Sequence, residues 1–259
     1  MNYNYHTHTY RCGHASGSEE EYIQRAIRCG IKYIGFSDHI PFVCDDGYES
    51  PHRVPMKAAK EYVATISALR EKYADKIDIK IGFEAEYYPE DFEKMLKTAT
   101  EVGAEYLIVG QHWLANEHLG GQHTMVETSN PEDLKRYINL VISAIKSGVV
   151  TYIAHPDMFV FEGDAETYKQ EMRKICVASR EYNIPLEINF LGIREKRSYP
   201  NEIFWEIAGE EQPPVVFGFD AHTTQSAYDG ESLLKAEEMV KKYKLNYIGK
   251  PNLIFLNNV

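Results

Sequence analysis

Cysteine is scarce in this chain. The four in 259 residues, Cys12, Cys29, Cys44 and Cys176, are scattered and form no C-x-x-C pair. That spacing excludes a disulfide scaffold and a thiolate zinc site, and it fits a reduced compartment. No apolar run is long enough to span a bilayer. The N-terminus lacks the basic-then-apolar pattern of an export signal, so a cytoplasmic location is expected. Positive charge is also short: 28 Lys and Arg stand against 39 Asp and Glu, a formal net charge of −11. A chain this acidic is a poor generic partner for nucleic acid or anionic membrane, and neither is expected. A local basic cluster can still hold one small anion. There is no glycine-rich phosphate loop of the G-x-G-x-x-G or Walker type, which counts against a nucleotide-binding open sheet. Internal repeats, low-complexity tracts and linkers are absent too, so residues 1–259 read as one domain.

Short apolar runs alternate instead with amphipathic segments. Ser18 and Glu21 form a capping box and Gly30 stops the helix they open. Strand-like runs follow at 31–37, 79–83, 105–110, 149–154, 185–189 and 215–219, with the first at Tyr3. Helical stretches lie between most of them, at about 56–73, from a first turn holding Pro89, from Asn130-Pro131 to Gly148, at 166–182, after Pro200-Asn201 and at 231–243. Seven unbroken apolar strands alternating with helices imply a parallel α/β sheet. An open doubly wound sheet is the alternative to a barrel. Ligand-type residues follow strands at both ends of the chain and at many between, and a barrel brings all those ends to one mouth.

Histidine carries the chemistry. His6 and His8 are two apart on the first strand, so both rings project from one face. Seven of the ten histidines, His6, His8, His14, His39, His112, His155 and His222, sit at or just past strand C-terminal ends. Glu84 and Asp220 occupy the same kind of position. His52, His118 and His123 lie in loops and read as surface residues. Nine such groups are too many for one ion and suit two or three. Imidazole and carboxylate without thiolate suits Zn, Mn, Fe or Co. Such a cluster generates hydroxide at neutral pH and clamps both oxygens of an in-line displacement at phosphorus. Asp38 and Asp157 are candidate acceptors for ligand imidazoles.

His6-Thr7-His8 with His14, Ser37-Asp38-His39, Phe83-Glu84, Gln111-His112, Ala154-His155-Pro156 and Phe219-Asp220-Ala221-His222 together resemble the motifs of the PHP (polymerase and histidinol phosphatase) family. The resemblance runs in motif order along nearly the whole chain. It implies a distorted TIM-like (β/α)7 barrel with a trinuclear metal site at the C-terminal ends of its strands. By that resemblance His6, His8, Glu84 and Asp220 hold one ion. Glu84, His112 and His155 hold a second, with Glu84 bridging, and His14, His39 and His222 hold the third.

Within the family, Ser37-Asp38-His39-Ile40-Pro41-Phe42 and the stretch from Glu187 to Tyr199-Pro200 look most like the monofunctional histidinol-phosphate phosphatases. That resemblance implies a phosphoric monoester hydrolase of histidine biosynthesis, acting on a small phosphorylated substrate. Arg194 follows the sixth strand and resembles the family's phosphate-gripping arginine. Arg197 and Arg11 are further candidates for phosphate. Arg194, Asp220 and His222 are the candidate catalytic residues. Another phosphomonoester, phosphotyrosine, a PHP-type nuclease and a non-enzymatic metal-binding protein remain as alternatives.

Overall fold

The computed structural model describes residues 1–258. Its frame is one eight-stranded sheet in strict chain order. The strands are β1 (Tyr3–Asn4), β2 (Tyr33–Phe36), β3 (Asp78–Ala85), β4 (Tyr106–Val109), β5 (Val150–Ile153), β6 (Leu186–Asn189), β7 (Pro214–Gly218) and β8 (Asn246–Tyr247). Every neighbouring pair is parallel. Crossovers carry α1 (Glu19–Arg28), α2 (Ala59–Lys72), α3 (Phe92–Val102), α4 (Pro131–Lys146), α5 (Ala165–Tyr182), α6 (Phe190–Glu195), α7 (Glu202–Glu211) and α8 (Gly230–Tyr243). All residues of β4 to β7 are buried, as strands covered on both faces must be.

The expected seven strands fall one short. β8 is two residues long and neither is buried, so it leaves no periodic signal in the sequence. Two helices also start differently from expectation. Pro89 lies in a turn ahead of α3, and the segment at 56–58 is a 3₁₀ turn before α2. Gly192-Ile193-Arg194, which follow the sixth strand, are helical in α6, where the Asn189 side chain accepts from Gly192 N at 3.1 Å and caps the turn.

The sheet curls until its first strand meets its seventh. Just past β1, Thr7 bridges Ala221 in parallel. His8 N donates to Ala221 O at 2.9 Å, and Ala221 N donates to His6 O at 3.3 Å. Further down, Phe217 N donates to Tyr3 Oη and Phe219 N to Asn4 Oδ1, each at 3.1 Å. The seam is thus one bridge plus side-chain acceptors, with β8 outside it on β7, and the barrel is distorted accordingly. Its interior is filled by Tyr3, Tyr5, Tyr106, Ile108, Tyr152 and Val216. The Tyr106 hydroxyl donates to Tyr5 O at 2.9 Å, tying the core layer to the first strand. A larger apolar layer packs the helices against the outside of the sheet.

Candidate metal centre

Strand phase delivers the candidate ligands to one rim. Glu84 lies at the end of β3, and His112, His155 and Asp220 each follow a strand by two or three residues. His155 and Asp220 hold φ of 31° and 45°, in the left-handed region. That conformation costs about 1–3 kcal/mol in a residue with a side chain and persists where the surroundings enforce it. Here it turns both side chains inward over the barrel.

Glu84 is the hub. Its Oε1 lies 3.0 Å from His155 Nε2 and 3.8 Å from His112 Nε2. Its Oε2 lies 3.4 Å from His6 Nε2, 3.3 Å from His8 Nε2 and 3.4 Å from His39 Nδ1. One carboxylate therefore faces imidazoles on both oxygens, which is the disposition of a bridge between two cations. Asp220 Oδ1 lies 3.5, 3.4 and 3.2 Å from His6 Nε2, His8 Nε2 and His222 Nδ1. It is buried yet makes no hydrogen bond. His6 Nε2 and His8 Nε2 approach to 3.2 Å. His14 completes the set, its ring 5.2 Å from His39 and 5.0 Å from His222. A buried carboxylate oxygen with no donor and ring nitrogens converging on it fits a cation and little else. All nine residues named from the sequence come together here.

The proton positions are set by an outer layer that strand phase alone does not reveal. Glu187 Oε1 accepts from His6 Nδ1 at 2.8 Å. Its Oε2 accepts from His155 N at 3.1 Å and Asn189 Nδ2 at 2.7 Å. Glu86 accepts from His112 Nδ1 at 2.6 Å and from His112 N at 2.9 Å. An ionised carboxylate cannot donate, so His6 and His112 keep a proton on Nδ1, which leaves Nε2 as the atom each ring would offer to a cation. Gly218 gives Glu187 its room, and Gly110 does the same for Glu84; a Cβ at either position would collide with the carboxylate. Asp38 accepts from Thr9 N and Thr9 Oγ1 and lies 4.0 Å from His8 Nδ1. Asp157 does not serve a ligand imidazole. It accepts from Asn201 N and Trp205 Nε1, fastening α7 to the end of β5.

Electrostatics agree with this geometry. Burial opposes charge on Glu84 and Asp220, but the surrounding imidazoles outweigh it and hold both carboxyls well below their usual range. Burial also opposes charge on His6, and there Glu187, Asp220 and Glu84 win, raising its pKa well above the ordinary value, so a cation would bind at Nε2 by displacing a proton. At the outer rim the imidazoles crowd one another. Burial and neighbouring His222 and His8 push His14 down to about 4, and burial pushes His39 well below its usual value. Ionised carboxylates and neutral outer imidazoles are the forms that bind a cation.

Above this floor lies a cavity of about 380 Å³. Two of the loop histidines line it, His52 exposed at its edge and His123 half-buried. Burial, with His112, His155 and Arg197 nearby, pushes His123 down to about 4. His118 instead stacks on Tyr48 at 3.9 Å and bonds Asp46. Arg197 also lines the cavity, braced by Glu195 and by the Tyr199 hydroxyl at 3.1 Å. Arg53, which no sequence pattern marks, joins it there, held bidentate by Glu117 at 2.8 and 3.2 Å. Arg194 and Arg11 do not reach the cavity lining. Arg194 pairs with Asp229 at 2.9 Å and its other donors reach the carbonyls of Phe219 and Asp220. Arg11 is bound by Glu19, Glu61 and Thr65. Both guanidiniums are spent on the scaffold, on the helix α8 cap and the α1–α2 side respectively.

Residues 4–190 match the model of the PHP domain. The chain is 28% identical over 223 residues to a probable histidinol-phosphatase of Deinococcus radiodurans, covering 84% of this chain and 85% of that one. It is 26% identical over 243 residues to a probable histidinol-phosphatase of Schizosaccharomyces pombe, covering 84% and 79%. The histidinol phosphate phosphatase of Lactococcus lactis, solved with zinc, L-histidinol and phosphate, superposes with a TM-score of 0.72 at 18% identity over 98% of this chain and 97% of that one. That last likeness is one of fold.

Proposed function

We propose that this chain, which belongs to the PHP domain family, is a metal-dependent phosphomonoesterase that converts L-histidinol phosphate to L-histidinol and inorganic phosphate. The observation that carries the reading is Glu84, whose two oxygens face five imidazoles on the floor of a cavity walled by Arg197. The names of the two sequence relatives support the substrate.

His6, His8, Glu84 and Asp220 would hold one divalent ion, Glu84, His112 and His155 a second, and His14, His39 and His222 a third. Zinc, manganese, iron or cobalt ions in such a site supply Lewis acidity toward a phosphoryl group and a nucleophile at neutral pH. The protein's own share is orientation. Glu187 and Glu86 fix the tautomers of His6 and His112. Arg197 presents a guanidinium to the phosphoryl oxygens, fitted to bidentate contact. Glu117 and Glu195 hold the Arg53 and Arg197 guanidiniums in the cavity wall. No helix among the described residues is long and apolar enough to cross a membrane, and cytoplasmic amino-acid biosynthesis is the setting this reading implies.

Phosphate release should be measured on metal-reconstituted protein with L-histidinol phosphate, phosphotyrosine, other small monoesters and a phosphodiester, alongside elemental analysis. Two to three ions per chain and a clear preference for histidinol phosphate are expected. One ion or none after reconstitution, or faster cleavage of the diester, refutes the assignment.

A further inference from the structure

His123 is not among the nine candidate ligands, and the chemistry of the cavity floor does not use it. It lies on a loop between β4 and α4, lines the cavity and stands edge-on to Trp113 at 4.8 Å. Its ring is 6.4 Å from that of His112, so it borders the Glu84–His112–His155 end of the floor without joining it. The informative contact is with its own loop. Met125 N donates to His123 Nδ1 at 3.1 Å. A backbone amide can only donate, so Nδ1 must accept, and the neutral ring carries its proton on Nε2. Among the described residues the bond from Met125 N is the ring's one hydrogen bond, and none engages Nε2. The loop is itself held in place: Trp113 and His123 form a β-bridge, and Thr124 N donates to His112 O at 2.8 Å. The ring therefore stays against Trp113 with one N–H free, in a cavity that Arg197 also lines.

We propose that His123 binds the phosphoryl group as an uncharged donor, its Nε2–H bonding a phosphoryl oxygen beside the Arg197 guanidinium. Arg197 supplies charge, and His123 supplies direction without adding a cation to a site already built to hold several. The inference rests on the phosphomonoesterase reading and deepens it.

The test is binding of inorganic phosphate to the metal-loaded protein, followed by calorimetry, with L-histidinol as a second probe. His123→Phe keeps the ring against Trp113 and removes the donor; His123→Gln keeps a donor. Phosphate affinity should fall roughly 10- to 100-fold in His123→Phe, the scale of a hydrogen bond to a charged group. His123→Gln should lose less, and L-histidinol affinity and metal content should hold in both. Nitrogen-15 NMR of the wild type should show His123 as the Nε2–H tautomer. An Nδ1–H tautomer, a His123→Phe phosphate affinity within twofold of wild type, or equal losses in both variants overturns the proposal. Failure of the phosphatase reading shows separately, as a metal-loaded wild type that releases no phosphate from any monoester while still giving a phosphate titration.

Discussion

Replacing Glu187 by Gln changes one atom type and no shape, yet it should weaken one metal site and spare another. The carboxylate accepts three hydrogen bonds, one on Oε1 from His6 Nδ1 and two on Oε2 from His155 N and Asn189 Nδ2. A glutamine has one acceptor and an N–H₂ group. If its oxygen stays with His155 and Asn189, the amide nitrogen faces His6 Nδ1 at 2.8 Å. His6 must then move its proton to Nε2. That nitrogen lies 3.2 Å from His8 Nε2 and 3.4 Å from Glu84 Oε2, and a proton there removes the lone pair that a cation requires. If the amide flips instead, two donors meet at the buried His155 N–H. An unsatisfied buried donor costs about 1–3 kcal/mol, or about 5- to 150-fold in an equilibrium. Loss of an outer partner typically weakens a metal site about 10- to 100-fold, which agrees. Chelator competition with stepwise zinc release should show one site weakened by that factor, with the His112–His155 site nearly unchanged. A variant that holds its full metal complement at wild-type affinity refutes the tautomer argument.

Two further outcomes rest on the same geometry. Glu86→Gln should reduce activity about 10- to 100-fold, because Glu86 fixes the His112 ring and its backbone together; wild-type kcat/KM in this variant would show that His112 needs no such partner. Arg197→Ala should lower kcat/KM on monoesters roughly 10- to 1000-fold with metal content intact, whereas Arg194→Ala should lower Tm and leave KM near wild type, since Arg194 is tied to Asp229; the opposite pattern in steady-state kinetics and thermal unfolding would return Arg194 to the substrate.

The parts of the site legible in the sequence are those that strand phase determines. His6, His8, Glu84, His112, His155, Asp220 and His222 stand at or near strand ends, and a closed parallel sheet sends all of those ends to one rim. The rest depends on how segments meet across the barrel. Glu187 sits mid-strand in β6 and reads as an interruption of an apolar run; only Gly218 on the neighbouring strand, leaving space beside it, gives it a function. Glu86, two residues beyond Glu84, has the look of its milder echo. It is buried and directed at the next strand's histidine instead. The arginines exchange places at a helix end that the sequence does not announce. Lys196 takes a left-handed φ of 54° at the close of α6, which leaves Arg194 on the helix facing α8 and swings Arg197 to the cavity. β8 is too short to register at all.

The seam between β1 and β7 sets an order of events during synthesis. Its hydrogen bonds join residues 214 and 215 positions apart, so a chain emerging N-terminus first displays His6 and His8 long before Asp220 and His222 exist. Domains of this size tend to fold as units once their partners are available. The first two imidazoles wait on an unclosed sheet edge while every other candidate ligand is added, and the last two arrive just past β7, on either side of the Ala221 bridge that shuts the rim. Acquisition of a full metal complement and completion of the barrel are therefore the same step, and a nascent or truncated chain that stops before residue 220 has neither.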